Sequence, residues 1–176
     1  INVKDYDIKS LRDNVSMVLQ KNVLFSGTIS ENLRWGDENA DDDELEEASK
    51  LAQADSFIKE FPEKYDTYIE QGGTNVSGGQ RQRAWIAMTL AQETEIIMLD
   101  EPTTYLDMSY QLEVLEVLEK LNKEKNITVV IVLHELNNAC RFADNIIGFK
   151  KGKVICEGKP LDVITKENLK KIYGIE

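Results

Sequence analysis

The sequence predicts an α/β fold, and three observations carry that expectation. Ile96–Leu99 and Ile127–Leu133 are continuous apolar runs rich in isoleucine and valine, the pattern of strands buried on both faces of a parallel sheet. Between them Leu112, Leu115, Leu118 and Leu121 recur every three residues along a helix. Strand, helix and strand in that order imply a βαβ unit with a right-handed connection.

The remaining elements fall around that unit. Val15–Leu19 is a short apolar run ending in Gln20, a third strand. Thr28-x-x-Glu31 has the form of a capping box that opens a short helix. Asp37, Glu38, Asp41, Asp42, Asp43, Glu44, Glu46 and Glu47 form an acidic block, read as a solvated helix N-terminus where negative charge suits the dipole. Leu45, Ala48 and Ala52 give that helix one apolar stripe. Ser77-Gly78-Gly79-Gln80 leads into a helical run through Arg83, Ile86, Met88 and Leu90. Ile146–Phe149 and Val154–Cys156 flank Lys150-Lys151-Gly152-Lys153 and read as a hairpin at a sheet edge. Residues 28–90 are thus expected as a helical subdomain inserted into a core made of 1–27 and 91–176.

Composition narrows the function classes. The chain has 176 residues, the size of one ordinary domain, and 41% of them are hydrophobic, enough for a packed core. The net charge of −11 argues against a nucleic-acid partner held through a broad basic surface. The longest aliphatic stretch, Val129–Leu133, is far short of the roughly 20 apolar residues of a spanning helix. Two cysteines, Cys140 and Cys156, make neither a disulfide scaffold nor a metal-ligand pattern, and a reducing compartment without a signal peptide is expected. The chain opens on Ile1 in the middle of patterned sequence, as a piece of a longer protein would.

Four features carry chemistry. Ser77 is a favoured N-cap, and Gly78 and Gly79 let a backbone approach a ligand closely, so this helix start reads as a phosphate-binding terminus or as a plain Ser-Gly turn. Ile96-Ile97-Met98-Leu99-Asp100-Glu101-Pro102 delivers two carboxylates to the C-terminal end of a strand, where open α/β sheets bind ligands. One can hold Mg²⁺ and its neighbour can orient or deprotonate a water; acids that merely start a loop look the same. His134, the single histidine, follows the other buried strand and is expected on the same rim as Asp100 and Glu101. Gln20 ends the third strand and could join them.

Together these features resemble the nucleotide-binding subunit of ABC transporters, over nearly the whole chain. In that resemblance Gln20 is the Q-loop glutamine and Asn75-Val76-Ser77-Gly78-Gly79-Gln80 the signature motif, with Val76 where leucine is usual. Ile96–Glu101 looks like Walker B with its catalytic glutamate, Leu106-Asp107 like the D-loop, and His134 like the switch histidine. The implied fold is a partial P-loop NTPase (RecA-like) core with a mostly parallel sheet and the inserted helical subdomain. The implied cofactors are ATP and Mg²⁺, with Asp100 and Gln20 at the metal. The implied partners are a second ABC ATPase domain in a head-to-tail pair and a transmembrane permease subunit or domain, at the cytoplasmic face of the cell membrane.

Two departures qualify the resemblance. No G-x-x-x-x-G-K-S/T phosphate loop occurs in the chain, and its place in the family lies further upstream of the Q-loop than the 19 residues preceding Gln20. The two halves also resemble different branches. Residues 1–83, including Val23-Leu24-Phe25-Ser26-Gly27-Thr28-Ile29 and Ile69-Glu70-Gln71-Gly72-Gly73, look like exporters with fused membrane domains. Residues 84–176, including Thr103-Thr104-Tyr105-Leu106-Asp107, His134-Glu135-Leu136-Asn137-Asn138-Ala139-Cys140 and the Ile172-Tyr173-Gly174-Ile175-Glu176 tail, look like iron-siderophore importer ATPases. The expectation is therefore a truncated, chimera-like ABC ATPase domain that is inactive alone. A folded fragment that only binds partners is the rival from another class. A soluble ABC protein of repair or translation fits the acidic charge and the importer-like tail less well.

Overall fold

The computed structural model describes residues 3–20, 23–104 and 106–174. Tyr105 and the last two residues of the importer-like tail lie outside them. The chain divides into two compact units, Ile1–Val132 and Leu133–Glu176.

In the first unit, a 3-10 turn at Val3–Asp5 and helix α1 (Ile8–Asn14) lead into strand β1 (Val15–Val18). β2 (Gly27–Thr28) and β3 (Tyr68–Ile69) form a short antiparallel ladder around α2 (Ile29–Leu33), α3 (Asp42–Leu51) and α4 (Asp55–Glu60). Then come α5 (Gly78–Leu90), β4 (Ile96–Asp100), α6 (Met108–Lys125) and β5 (Thr128–Val132). The strands β1, β4 and β5 form one parallel sheet in the order β1-β4-β5. β4-α6-β5 is thus the expected βαβ unit.

The helix starts follow local chemistry. Thr28, Asp41 and Ser77 each accept the N3 amide, and Glu31, Glu44 and Gln80 reach back to the cap amide, so α2, α3 and α5 all open on complete capping boxes. Each such cap contributes about 1 kcal/mol. The acidic block therefore does have a structural use at the N-terminus of α3, whose Leu45 and Ala48, together with the C-cap Ala52, are buried.

Two packing expectations need correction. Within the first unit, the described sheet residues are buried on one face and partly exposed on the other. Ser16, Val18, Ile97 and Leu99 are buried, with Val129 and Ile131 packed against the same core. On the other face Met17 is 54% and Val130 45% exposed, so β5 alternates instead of being buried on both sides. A continuous apolar run cannot tell these cases apart, because it says nothing of what else covers the strand. The buried stripe of α6 is Val114, Leu115, Val117, Leu118 and Leu121, with Leu112 only half-buried. A spacing of three drifts off a helix face that turns every 3.6 residues, and the valines close the gap.

One core spans the proposed boundary between the two sequence halves. Leu24, Ile29, Leu33, Phe57 and Ile69 from the first half share it with Ile86, Met88, Ile97, Leu99, Val114 and Leu121 from the second. The change at residues 83/84 falls inside α5 without a break in the helix. Burying each large aliphatic here contributes about 1.5–3 kcal/mol.

Asn32 is the polar member of this region and was not foreseen. It is 4% exposed; its Oδ1 accepts the Phe25 amide at 2.8 Å, and its Nδ2 donates to the carbonyls of Phe25 and Thr28, each at 2.9 Å. These three bonds hold the segment between β1 and α2. Replacing Asn32 with alanine removes all three and strands the Phe25 groups, at an expected cost of about 2–4 kcal/mol. Urea unfolding measures it; a loss under about 1 kcal/mol would contradict the staple.

The second unit contains α7 (Leu136–Phe142), β6 (Ile146–Lys150), β7 (Lys153–Gly158), α8 (Pro160–Val163) and α9 (Lys166–Tyr173). The β6–β7 hairpin is present in antiparallel register, as a two-stranded sheet among the described residues of this unit. Period-two patterning identifies a hairpin and carries no information on the strand beside it.

Candidate functional site

The parallel register builds the first group of site residues. Val18 lies opposite Leu99, so two further residues along each chain bring Gln20 level with Glu101 just past the strand ends. Their side chains meet there: Gln20 Nε2 donates to Glu101 Oε2 at 2.6 Å. Thr104 Oγ1 donates to the same oxygen at 3.1 Å, and the Thr104 amide donates to the Glu101 carbonyl at 3.1 Å. Glu101 has φ of +48°, a left-handed conformation that a non-glycine residue adopts at a cost. Asp100 ends β4 opposite Val132 and is exposed. The strand thus places two acids of different setting at one sheet rim.

The second group surrounds the start of α5. Ser77 Oγ accepts the Gln80 amide at 3.2 Å while Gln80 Oε1 accepts the Ser77 amide at 2.8 Å. The amides of the first helical turn, Gly78 and Gly79, have no acceptor within the helix, as at every helix start. Both glycines face the region just before and within α6. A Cβ on Gly78 would stand 3.6 Å from Leu106, and one on Gly79 would stand 3.2 Å from the Tyr110 ring. Asp107 caps α6, its Oδ1 accepting from the Ser109 hydroxyl at 2.8 Å and the Tyr110 amide at 3.2 Å. Those bonds hold its carboxyl below the usual carboxylate range, the Ser109 hydroxyl being the larger cause.

Gln20 and Glu101 are therefore brought together, as are Ser77 with Gln80 and the two glycines with the Asp107 loop. His134 is exposed and lies two residues past β5, at the opening of the second unit. Among the described residues no cluster of three or more His, Cys, Asp or Glu side chains forms a metal cage. No helix among them is long and apolar enough to cross a membrane.

Three contributors escaped sequence reasoning. Thr104 was visible only as part of a longer motif. Tyr110 backs Gly79, and Arg83 lies 5.4 Å from the centre of the Phe57 ring and 5.9 Å from that of Tyr110 while pairing with Glu113 at 3.1 Å. Arg83 thereby ties α5 to α6. The i, i+3, i+4 and i+7 signals that find helix faces do not report such cross-helix contacts.

Comparison with known proteins finds relatives among both siderophore transport ATP-binding proteins and ABC exporters. The family model described as ABC transporter matches residues 1–104. The ferric enterobactin transport ATP-binding protein FepC of Escherichia coli is 53% identical over 106 residues, which is 60% of this chain and 39% of that protein. ABC transporter B family member 3 of Dictyostelium discoideum is 40% identical over 167 residues, 95% of this chain and 12% of that protein. Among solved structures, a bacterial Atm1-family ABC exporter with ATP bound superposes with a TM-score of 0.82 at 30% identity, over 94% of this chain and 29% of the exporter chain. The chain spans well under half the length of these relatives. With a family model matched over more than half its residues, and with the sheet and helices of an α/β nucleotide-binding fold, the chain belongs to the ABC transporter family.

Proposed function

We propose that this segment is part of an ATP-binding and ATP-hydrolysing domain that drives transport across a membrane. The observation that carries the reading is the Gln20–Glu101 hydrogen bond at the ends of adjacent parallel strands. It joins the two residues that, in the family resemblance, sense the γ-phosphate and activate water.

In this reading Glu101 is the general base. Its carboxylate orients the attacking water and takes its proton, while catalysis is otherwise positioning and charge stabilisation. Asp100 and the Gln20 side-chain oxygen are the ligands for Mg²⁺. The donor set fits that ion: these are hard oxygen donors, few in number, and Mg²⁺ keeps several waters and phosphate oxygens as its other ligands. The Gln20 amide nitrogen is directed at Glu101, so in this reading its oxygen is the atom offered to the cation. When bound, the metal would neutralise charge on the transferring phosphoryl group. His134 is the proposed γ-phosphate partner. Ser77, Gly78, Gly79, Gln80 and Asp107 are proposed to meet nucleotide across a head-to-tail pair with a second ATPase domain, the capped first turn of α5 supplying amides and dipole to phosphate oxygens.

The membrane partner is proposed to rest on the segment after Gln20. Phe25 and Trp35 stack there at 4.7 Å between ring centres, and both are exposed, at 44% and 65%. Leu24, next to Phe25 in the sequence, is buried in the core.

The phosphate loop is not encoded in these 176 residues. In this reading the N–H nest and lysine that grip the β- and γ-phosphates are not among its residues. The 176-residue chain alone is expected to show neither Mg-ATP turnover above background nor calorimetric ATP binding below the millimolar range. Turnover that disappears in Glu101→Gln would overturn this.

A further inference from the structure

We propose that Thr104 is a positioning residue for Glu101, a role that rests on the reading of Glu101 as the base. Thr104 grips Glu101 twice. Its amide closes the turn on the Glu101 carbonyl, and its hydroxyl donates to Oε2 of the same residue. The first bond belongs to any turn of this shape, but the second requires a hydroxyl at this position.

The need for that hydroxyl follows from the rest of the geometry. Gln20 alone would be a weak fixture, since it is exposed and its amide sits at the end of a long, freely rotating side chain. Its bond to Oε2 is useful only if the carboxylate is already there. Thr104 is β-branched and restricted at χ1, so few directions are open to its oxygen. It is also anchored at both ends. Thr103 beside it is buried, the Leu106 amide donates to the Thr103 carbonyl at 3.2 Å, and Asp107 then caps α6. The hydroxyl is therefore carried on a turn braced between β4 and α6. Two donors on one oxygen fix the plane of the carboxylate, and the positive φ of Glu101 aims the side chain toward the Gln20 strand.

The proposal separates Thr104 from an ordinary turn residue. A turn residue is replaceable by valine, which has the same shape, whereas a hydroxyl donor is replaceable only by serine. The test is heteronuclear NMR of the 176-residue chain at neutral pH, reading the Gln20 side-chain amide protons and the Glu101 side-chain carboxylate carbon. In the parent, one Gln20 amide proton is expected well downfield of the free glutamine position. Thr104→Val should move it most of the way back and broaden or shift the Glu101 carbon. Thr104→Ser should retain most of the parental values. Backbone amide shifts of β4 and α6 report whether each variant is folded; if Thr104→Val is not, Thr104→Ala is read in the same way. Parental Gln20 and Glu101 signals in the folded valine or alanine variant would overturn the proposal, as would a serine variant that behaves like valine. Failure of the base reading has a different signature. It would appear as ATP hydrolysis surviving Glu101→Gln, and the Thr104 result would stand beside it.

Discussion

Glu101→Gln, made in a protein that carries this segment together with a phosphate loop, is expected to lower Mg-ATP turnover by about 10²–10⁴-fold, the range general-base catalysis supplies. The amide has the shape of the carboxylate and keeps an oxygen where Gln20 Nε2 and Thr104 Oγ1 can still donate. The fold of the rim should therefore survive. What the amide lacks is basicity: it cannot take the proton of the attacking water. Nucleotide affinity should stay within about threefold, because a residue that acts only in the transition state affects kcat and leaves ground-state binding alone. Asp100→Asn provides the contrast, since loss of a metal ligand should weaken Mg-ATP binding as well as turnover. Steady-state hydrolysis together with equilibrium nucleotide binding separates the two. Hydrolysis at the parental rate in Glu101→Gln would remove Glu101 from the base role and leave its bonds to Gln20 and Thr104 as structural.

The β4-α6-β5 unit was legible in the sequence because continuous apolar runs rich in isoleucine and valine mark strands. Ile96–Leu99 and Ile127–Leu133 could hardly be anything else once a leucine-bearing helix lay between them. The capping boxes at Thr28 and Ser77 were equally readable, being local chemistry within four residues. What stayed hidden was whatever depends on a third element. The exposure of Met17 and Val130 depends on what covers the sheet, not on the strand's own composition. The contribution of Thr104 depends on the left-handed turn at Glu101, and that of Asn32 on a loop folding back over α2. Gln20 shows the boundary well. As a residue type it carried almost no information, yet once Val18 is paired with Leu99 in parallel register its meeting with Glu101 follows.

Gly36→Ala is expected to be the most damaging single-methyl change in the first unit. Gly36 follows α2, its amide donating to the Leu33 carbonyl at 3.0 Å, and it lies directly against α5. A Cβ there would collide with the carbonyl oxygen of Met88, and the next nearest atoms, the Met88 carbonyl carbon at 3.1 Å and the Leu33 carbonyl oxygen at 3.2 Å, are backbone too. Side chains can yield by changing rotamer; a helical carbonyl and a turn cannot. Relief therefore requires α2 and α5 to move apart. That opens space around Leu33 and Met88, which are 1% and 5% exposed. Overpacking of this kind costs about 1–3 kcal/mol, and partial loss of burial for the flanking side chains adds to it. The expected total is about 3–5 kcal/mol, a large fraction of the roughly 5–15 kcal/mol that holds a domain together. Gly72→Ala and Gly152→Ala supply the control. Both positions have positive φ but open space around them, so only the backbone term of about 1 kcal/mol is at stake. Urea unfolding of the three variants ranks them. The same displacement should also disturb Trp35, one residue away and stacked on Phe25, linking a packing defect in the core to the surface proposed to meet the membrane partner. A Gly36→Ala variant no less stable than Gly72→Ala would show that α2 and α5 have slack between them.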